Sequence, residues 1–264
     1  MTVILLALAA NAPGQIIYVD AGAAGAHDGS SWYNAYIDLQ DALDAAAAGD
    51  EIWVAAGIYK PTKLETAGYP RSATFQLISG VALFGGYGGE TILSGDIGTV
   101  DDSSDNCYHV VTGSYTDTST VIEGFTIEGG YADGLQEIDG VLVRYHSGGG
   151  MFNYEGGPTV NNCIFQDNYA MYNGGAVANR GENCTSTFDH CTFSNNITGQ
   201  CGGGMTSHLG PSTVLNCCEF TENSSVWGGG LYSYYGDMSY KNVNLTTILP
   251  LWRVVDWPMI IPPR

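Results

Sequence analysis

Between residues 131 and 147 the chain gathers Asp133, Glu137, Asp139, Arg144 and His146, in a stretch much longer than the equivalent connections elsewhere. Two carboxyl groups held across a glycosidic bond can serve as acid and base or as acid and nucleophile. A basic residue beside them could take a proton, and a bound calcium could neutralise an acidic sugar. Long insertions on a rigid scaffold carry binding and catalysis more often than tight turns do. No recognised motif orders these five residues, so a solvated surface loop is the competing reading. A second acidic group, Asp101, Asp102 and Asp105, lacks the alternating ligands of a calcium loop and reads as a polar turn. Calcium is therefore a cofactor without a motif, and no other cofactor is expected. The seven cysteines include no CxxC pair and no Cys–His arrangement with zinc spacing, so no metal site is expected either.

The other side chains able to act on a partner are planar ones: Phe152, Tyr154, Arg180, His208, Tyr232 and Tyr234. What positions them is a repeat. Cys163, Phe165 and Asn168 recur as Cys191, Phe193 and Asn196 and as Cys218, Phe220 and Asn223, at spacings of 28 and 27 residues. A glycine motif follows at 174–177, 202–205 and 228–231, with an earlier copy at 148–151. A period near 27 with alternation by twos and no helical stripe suits one coil of a parallel β-solenoid, whose successive coils stack about 4.8 Å apart. Equivalent residues should then form ladders. Cysteine and phenylalanine would point inward, the residues between them (Ile164, Thr192, Glu219) outward. The asparagines would turn inward to satisfy backbone groups at the turns. On the glycine-motif strand, Phe152, Ala178, Thr206 and Tyr232 should form one outward column, and Tyr154, Arg180, His208 and Tyr234 the next. Such a face suits sugar stacking or protein contact.

The same reading extends to the front of the chain. Leu39, Ala42, Leu43 and Ala46 follow a helical stripe, which predicts an amphipathic helix over 35–48 that caps the solenoid. Strands are expected at 52–55, 75–78, 81–84 and 108–112. The β-helix is thus placed over 16–240. Residues 1–12 read as a signal peptide despite lacking basic residues, and 241–264, without glycine, as an atypical tail or truncated end. Eight Lys and Arg against 27 Asp and Glu give a formal charge of -19, which argues against nucleic acid as a partner. No stretch reads as a transmembrane helix. An odd number of cysteines leaves at least one unpaired. The column of Cys163, Cys191 and Cys218 reads as buried thiols with room for one bridge, and Cys184 with Cys201 is another pairing.

The paired signatures G-G-A-[ILV] and F-x-x-N, repeated in order through 121–236, resemble the repeats of chlamydial polymorphic outer membrane proteins. The segment 18–61, with Asp28-Gly29-Ser30-Ser31-Trp32 and Gly57-Ile58-Tyr59, looks like the opening of exported bacterial right-handed β-helix proteins. The resemblance implies an all-β, single-stranded, right-handed parallel β-helix of the pectin-lyase-like type, secreted or on the outer surface of a bacterium. It also implies adhesion. The chain departs from the family in lacking a recognisable autotransporter barrel or sorting domain after residue 236. The expected function is a noncatalytic, adhesin-like surface protein that binds a polysaccharide or a surface protein. The alternative is a carbohydrate-active enzyme of the same fold, a polysaccharide lyase or glycoside hydrolase.

Overall fold

The computed structural model describes residues 14–134, 136–138, 141–143, 145–210, 212–246 and 249–250, with side chains left out of account at 136–138, 141–143 and 249–250. The expected signal peptide lies outside them, as do residues 251–264 of the expected tail. The described chain is mostly β, with one α-helix and three parallel sheets.

A single pass of the chain explains the pattern. Thr159–Asn161 and Ile164–Gln166 lie in the long sheet, Tyr169–Ala170 in a second sheet and Val177–Arg180 in a third. The next pass repeats the order with Thr187–Asp189, Thr192–Ser194, Ile197–Thr198 and Met205–His208, each paired in parallel with its predecessor. The long sheet curls because the strand Ala82–Ser94 pairs through Ala82–Phe84 with Val121–Glu123 and through Ile92–Ser94 with Thr126–Glu128. In later passes that bend becomes a corner made by one residue in the left-handed region. It is Gly124, Asn162, His190, Cys217 and Asn242 in turn, with φ of 79°, 50°, 52°, 51° and 54°. Glycine and asparagine suit this conformation, histidine tolerates it, and cysteine has no special fitness for it.

The residue after each corner turns inward: Phe125, Cys163, Cys191 and Cys218 are buried, and Val243 packs against the core. Two residues on, the rings of Phe165 and Phe193 stack with centroids 5.1 Å apart, and those of Phe193 and Phe220 at 4.3 Å. Phe188 meets the first two edge-on, at 6.3 and 5.9 Å. Gly204 must lack a side chain here, because a Cβ would come within 2.6 Å of the Phe220 ring and of the Gly230 carbonyl. Asn168, Asn196 and Asn223 are buried one above another. Asn196 Nδ2 donates to Phe165 O at 2.9 Å and to Asn223 Oδ1 at 3.0 Å, and its own Oδ1 accepts from Asn168 N and Nδ2, both at 3.1 Å. A second polar ladder, absent from the sequence reading, joins Asn153 to Asn179 and Asn179 to Thr213 at 2.8 and 2.9 Å. Asn153 and Asn179 lie two residues beyond the core residues Met151 and Val177, on the same inward face of their strands, so buried carboxamides line this sheet too.

All seven cysteines are unpaired, so neither bridge considered above forms. The column thiols instead donate to carbonyls: Cys163 to Asn161 O at 3.2 Å, Cys191 to Val160 O and Asp189 O at 3.4 Å. Burial pushes the Cys163 thiol up to about 12 and raises Cys191 as well, which keeps them protonated and inert.

The helix is shorter than the stripe predicts, running over Leu39–Ala45 with Asp38 as N-cap accepting from Gln40 N. Its start is displaced because Tyr36 pairs with the strand Ile16–Val19, donating to Tyr18 O and accepting from Asp20 N. Its end comes early because Ala46 is extended. The helix packs Leu39, Ala42 and Leu43 into the core. The early strands also differ in extent: Glu51–Tyr59 and Ala82–Ser94 are longer than expected, Phe75–Gln76 and Val111–Thr112 shorter. At the far end, Asp237–Lys241 and Asn244–Thr246 continue the parallel pairing past residue 240.

Candidate functional site

The base of the long insertion is held by Arg71. Arg71 Nε donates to Asn106 O at 2.6 Å, and Nη2 donates to Tyr131 O and to Asp133 Oδ1, both at 2.7 Å. Its guanidinium lies 4.3 Å from the centre of the Tyr108 ring, where cation–π attraction adds to the ion pair. Tyr108 stacks on Tyr145 at 4.6 Å, and buried Tyr145 is hydrogen-bonded through its hydroxyl to Thr66. Asp133 thus braces the base of the insertion. His146 shares a hydrogen bond with Ser147 Oγ at 3.0 Å and meets Tyr172 edge-on at 4.8 Å. Glu137 sits opposite Leu142 in an antiparallel hairpin of Gln136–Ile138 and Val141–Val143. Asp139 and Arg144 lie outside the described residues, so these five candidates are not seen to converge.

Among the aspartates at 101–105, Asp102 Oδ1 accepts from Ser104 N and Oγ, and Asp105 Oδ2 accepts from Thr99 N at 2.7 Å. The carboxylates serve their own turn.

Behind the insertion His109 is 3% exposed and stacks on Phe152 at 5.1 Å. Burial lowers its pKa to about 4, so the ring is neutral at pH 7, with Nδ1 bonded to Gly148 O at 2.9 Å. The unfolded chain would protonate this histidine near its ordinary value of about 6.5. Between those values the unfolded state holds the extra proton, so stability from this group is complete above about pH 6.5 and is lost as pH falls towards 4. The full loss is about 3 kcal/mol. Urea unfolding at pH 7.5 and 5 should show a pH-dependent loss in the parent that is smaller by about 2 kcal/mol in His109→Gln.

The face of the six-stranded sheet carries the planar side chains. Phe152, Ala178, Thr206 and Tyr232 are in register, as are Tyr154, Arg180, His208 and Tyr234. The first column is not the open face expected from alternation. Ala178 and Thr206 are buried, because the glycine-rich connections fold over them: Gly148 approaches Ala178, and Thr206 Oγ1 donates to Cys201 O at 2.8 Å. The second column stays at the surface. It begins at exposed Tyr115, edge-on to Tyr154 at 5.7 Å, and ends with His208 stacked on Tyr234 at 5.2 Å and Tyr234 against exposed Tyr235 at 4.4 Å.

The chain matches none of the family models, curated proteins or solved structures with which it was compared. Its function must therefore be read from these surfaces.

Three further features escaped the sequence reading. Tyr18, Trp32, Trp53 and Tyr87 form a half-buried aromatic cluster on the outside of the long sheet, with Trp53 and Tyr87 stacked at 4.8 Å. Trp53 Nε1 donates to Glu51 Oε2 at 2.9 Å, and burial together with Glu51 and Glu123 raises the Tyr87 hydroxyl. Alternation along 16–19 and 51–54 marks Tyr18 and Trp53 as outward, but nothing local brings Trp32 and Tyr87 to them. Next, a shallow cleft beside the helix holds Asp44, Lys63 and Glu65. Lys63 Nζ lies 2.6 Å from Asp44 and holds that carboxyl below its usual range, while burial raises Glu65. Both residues keep much of their surface exposed, so the desolvation of the Glu65 carboxyl is partial.

The last feature is a group of donor atoms that no motif spacing brings out. Asp189, His190 and Cys217 present one donor atom each, all within 4.8 Å of one another. The signal was available in the repeat alignment, which places His190 and Cys217 at the same corner of successive passes.

Proposed function

We propose that this chain is a secreted or surface-displayed right-handed parallel β-helix that binds a polysaccharide or a surface protein without chemically altering it. The pass-to-pass parallel pairing and the resemblance to polymorphic outer membrane protein repeats support the architecture. One observation carries the binding role: the in-register stripe of Tyr154, Arg180, His208 and Tyr234, extended at its ends by Tyr115 and Tyr235. Strand spacing sets these planar groups about 4.8 Å apart on a rigid sheet, so a sugar chain or a flat protein surface meets them with little ordering cost. Aromatic faces supply contact area, and Arg180 supplies hydrogen-bond donors.

A second reading, polysaccharide lyase or glycoside hydrolase, draws on the cleft where Lys63 and burial push Asp44 and Glu65 in opposite directions. A division of pKa values between two carboxyls is what acid–base chemistry uses. Both residues are exposed overall, so the desolvation of the Glu65 carboxyl is partial, which favours the binding reading.

Affinity electrophoresis against a polysaccharide panel, with and without calcium, separates the two when new reducing and unsaturated ends are measured alongside. Retention without product is expected. Tyr234→Ala should weaken retention about fivefold, and Tyr154→Ala with Tyr234→Ala about twentyfold or more, from about 1 kcal/mol per stacked ring. Turnover abolished by Glu65→Gln or Asp139→Asn would replace binding with catalysis. Retention unaffected by the tyrosine variants would move the site elsewhere.

A further inference from the structure

The corner of the long sheet at Asp189, His190 and Cys217 offers a nitrogen, a sulfur and a carboxylate oxygen from two successive passes of the chain. We propose that it is a zinc site that clips one pass to the next. Asp189 ends one strand in register with Asn216, and the residue after each is the left-handed corner, His190 in one pass and Cys217 in the next. Stacking the passes therefore sets imidazole beside thiol without any further device. His190 Nδ1 lies 3.1 Å from Asp189 Oδ1.

The donors need little adjustment. Zinc bonds of about 2.0–2.3 Å in a tetrahedron place donor atoms roughly 3.5 Å apart, so side-chain rotations of about an ångström close the present arrangement. Mixed imidazole, thiolate and carboxylate donors suit zinc among common divalent ions, and exclude magnesium and calcium, which take oxygen ligands. A neighbour from the third pass completes the setting: Asn242 Nδ2 donates to Cys217 Sγ at 3.7 Å, a bond that strengthens when the sulfur is a thiolate. With three protein ligands the fourth position is left for water.

A second observation concerns the residue chosen. The corner is occupied by glycine or asparagine at 124, 162 and 242, residues at ease with positive φ. Cys217 accepts φ of 51° without that ease and is the one exposed cysteine, whereas the other six are buried. Departure from local preference at an exposed, chemically capable residue marks a functional position.

The test uses the full chain, reduced and without an affinity tag, dialysed against zinc and assayed for bound metal. About one zinc per chain is expected. Cobalt bound in its place should show tetrahedral visible bands and a thiolate-to-metal charge-transfer band. His190→Asn and Cys217→Asn place the residue already used at Asn162 and Asn242, so the corner is preserved and circular dichroism should be unchanged. Each should weaken zinc binding at least about tenfold, since removing a ligand costs no less than removing its supporting neighbour. Zinc should also raise the thermal midpoint of the parent and leave that of the double variant unmoved, because only the folded chain assembles the donors. Zinc bound equally well by the double variant, or a cobalt complex without the charge-transfer band, would overturn the proposal. Neither outcome bears on polysaccharide retention, which involves a different sheet.

Discussion

Asn196→Ala should be among the most damaging single substitutions in the chain. The Asn196 carboxamide is fully buried and makes four hydrogen bonds: two donated, to Phe165 O and Asn223 Oδ1, and two accepted from Asn168. Alanine removes all four and supplies nothing in exchange. Asn168 Nδ2 keeps Ile127 O and Gln166 O, but the Asn168 backbone N–H and the Phe165 carbonyl lose these side-chain partners in a site without water access. The unpaired Asn168 N–H costs about 1–3 kcal/mol and each of the other lost bonds about 0.5–1.5 kcal/mol, so a total loss of roughly 2–7 kcal/mol is expected. That is a large fraction of the roughly 5–15 kcal/mol that holds a typical domain together. Urea unfolding followed by circular dichroism measures it. A loss below about 1 kcal/mol would mean that water or a neighbouring amide replaces the ladder.

Phe193→Ala should cost about 3–5 kcal/mol through a different term, the loss of apolar burial together with the cavity left behind. Its ring is the middle of the stack and touches Phe165, Phe188 and Phe220, so three neighbours lose contacts at once. The site collapses poorly because backbone pairing on both sides fixes the spacing between passes. Thr192→Ala, one residue away on the outward face, is the control and should shift stability by no more than about 0.5 kcal/mol. A Phe193 effect as small as that of Thr192 would show that the stack does not hold the passes together. Replacing Phe193 by leucine should recover part of the loss, since much of the volume returns.

The two substitutions also separate what the ladders do. The phenylalanines contribute bulk transfer energy, and leucine can partly substitute for them. The asparagines bond both to strand carbonyls such as Phe165 O and to turn N–H groups such as that of Asn168, and no apolar residue can do that.

Much of this was legible from residues alone. Cysteine, phenylalanine and asparagine recurring at 28 and 27 residues announce parallel passes, because only stacking of equivalent positions gives such a period a physical purpose. Strict alternation within a strand then decides which side chains face in, as at Phe165 and its neighbour Ile164. The repeat also places Tyr154, Arg180, His208 and Tyr234 in one column. Alternation failed at Ala178 and Thr206 because it describes a strand, whereas their burial comes from glycine connections that fold back over the sheet.

What only the tertiary structure decided are contacts between residues with no common period. Arg71 reaches Asp133 across 62 positions, Trp53 stacks on Tyr87 through a bend in a long strand, and Tyr36 leaves the expected helix to pair with Val19. Each depends on how loops and irregular strands close in space, which local propensity does not encode. The donor group at Asp189, His190 and Cys217 lies between these cases: the period aligns its members, but the distance between them follows from the corner's left-handed backbone and the stacking of two passes.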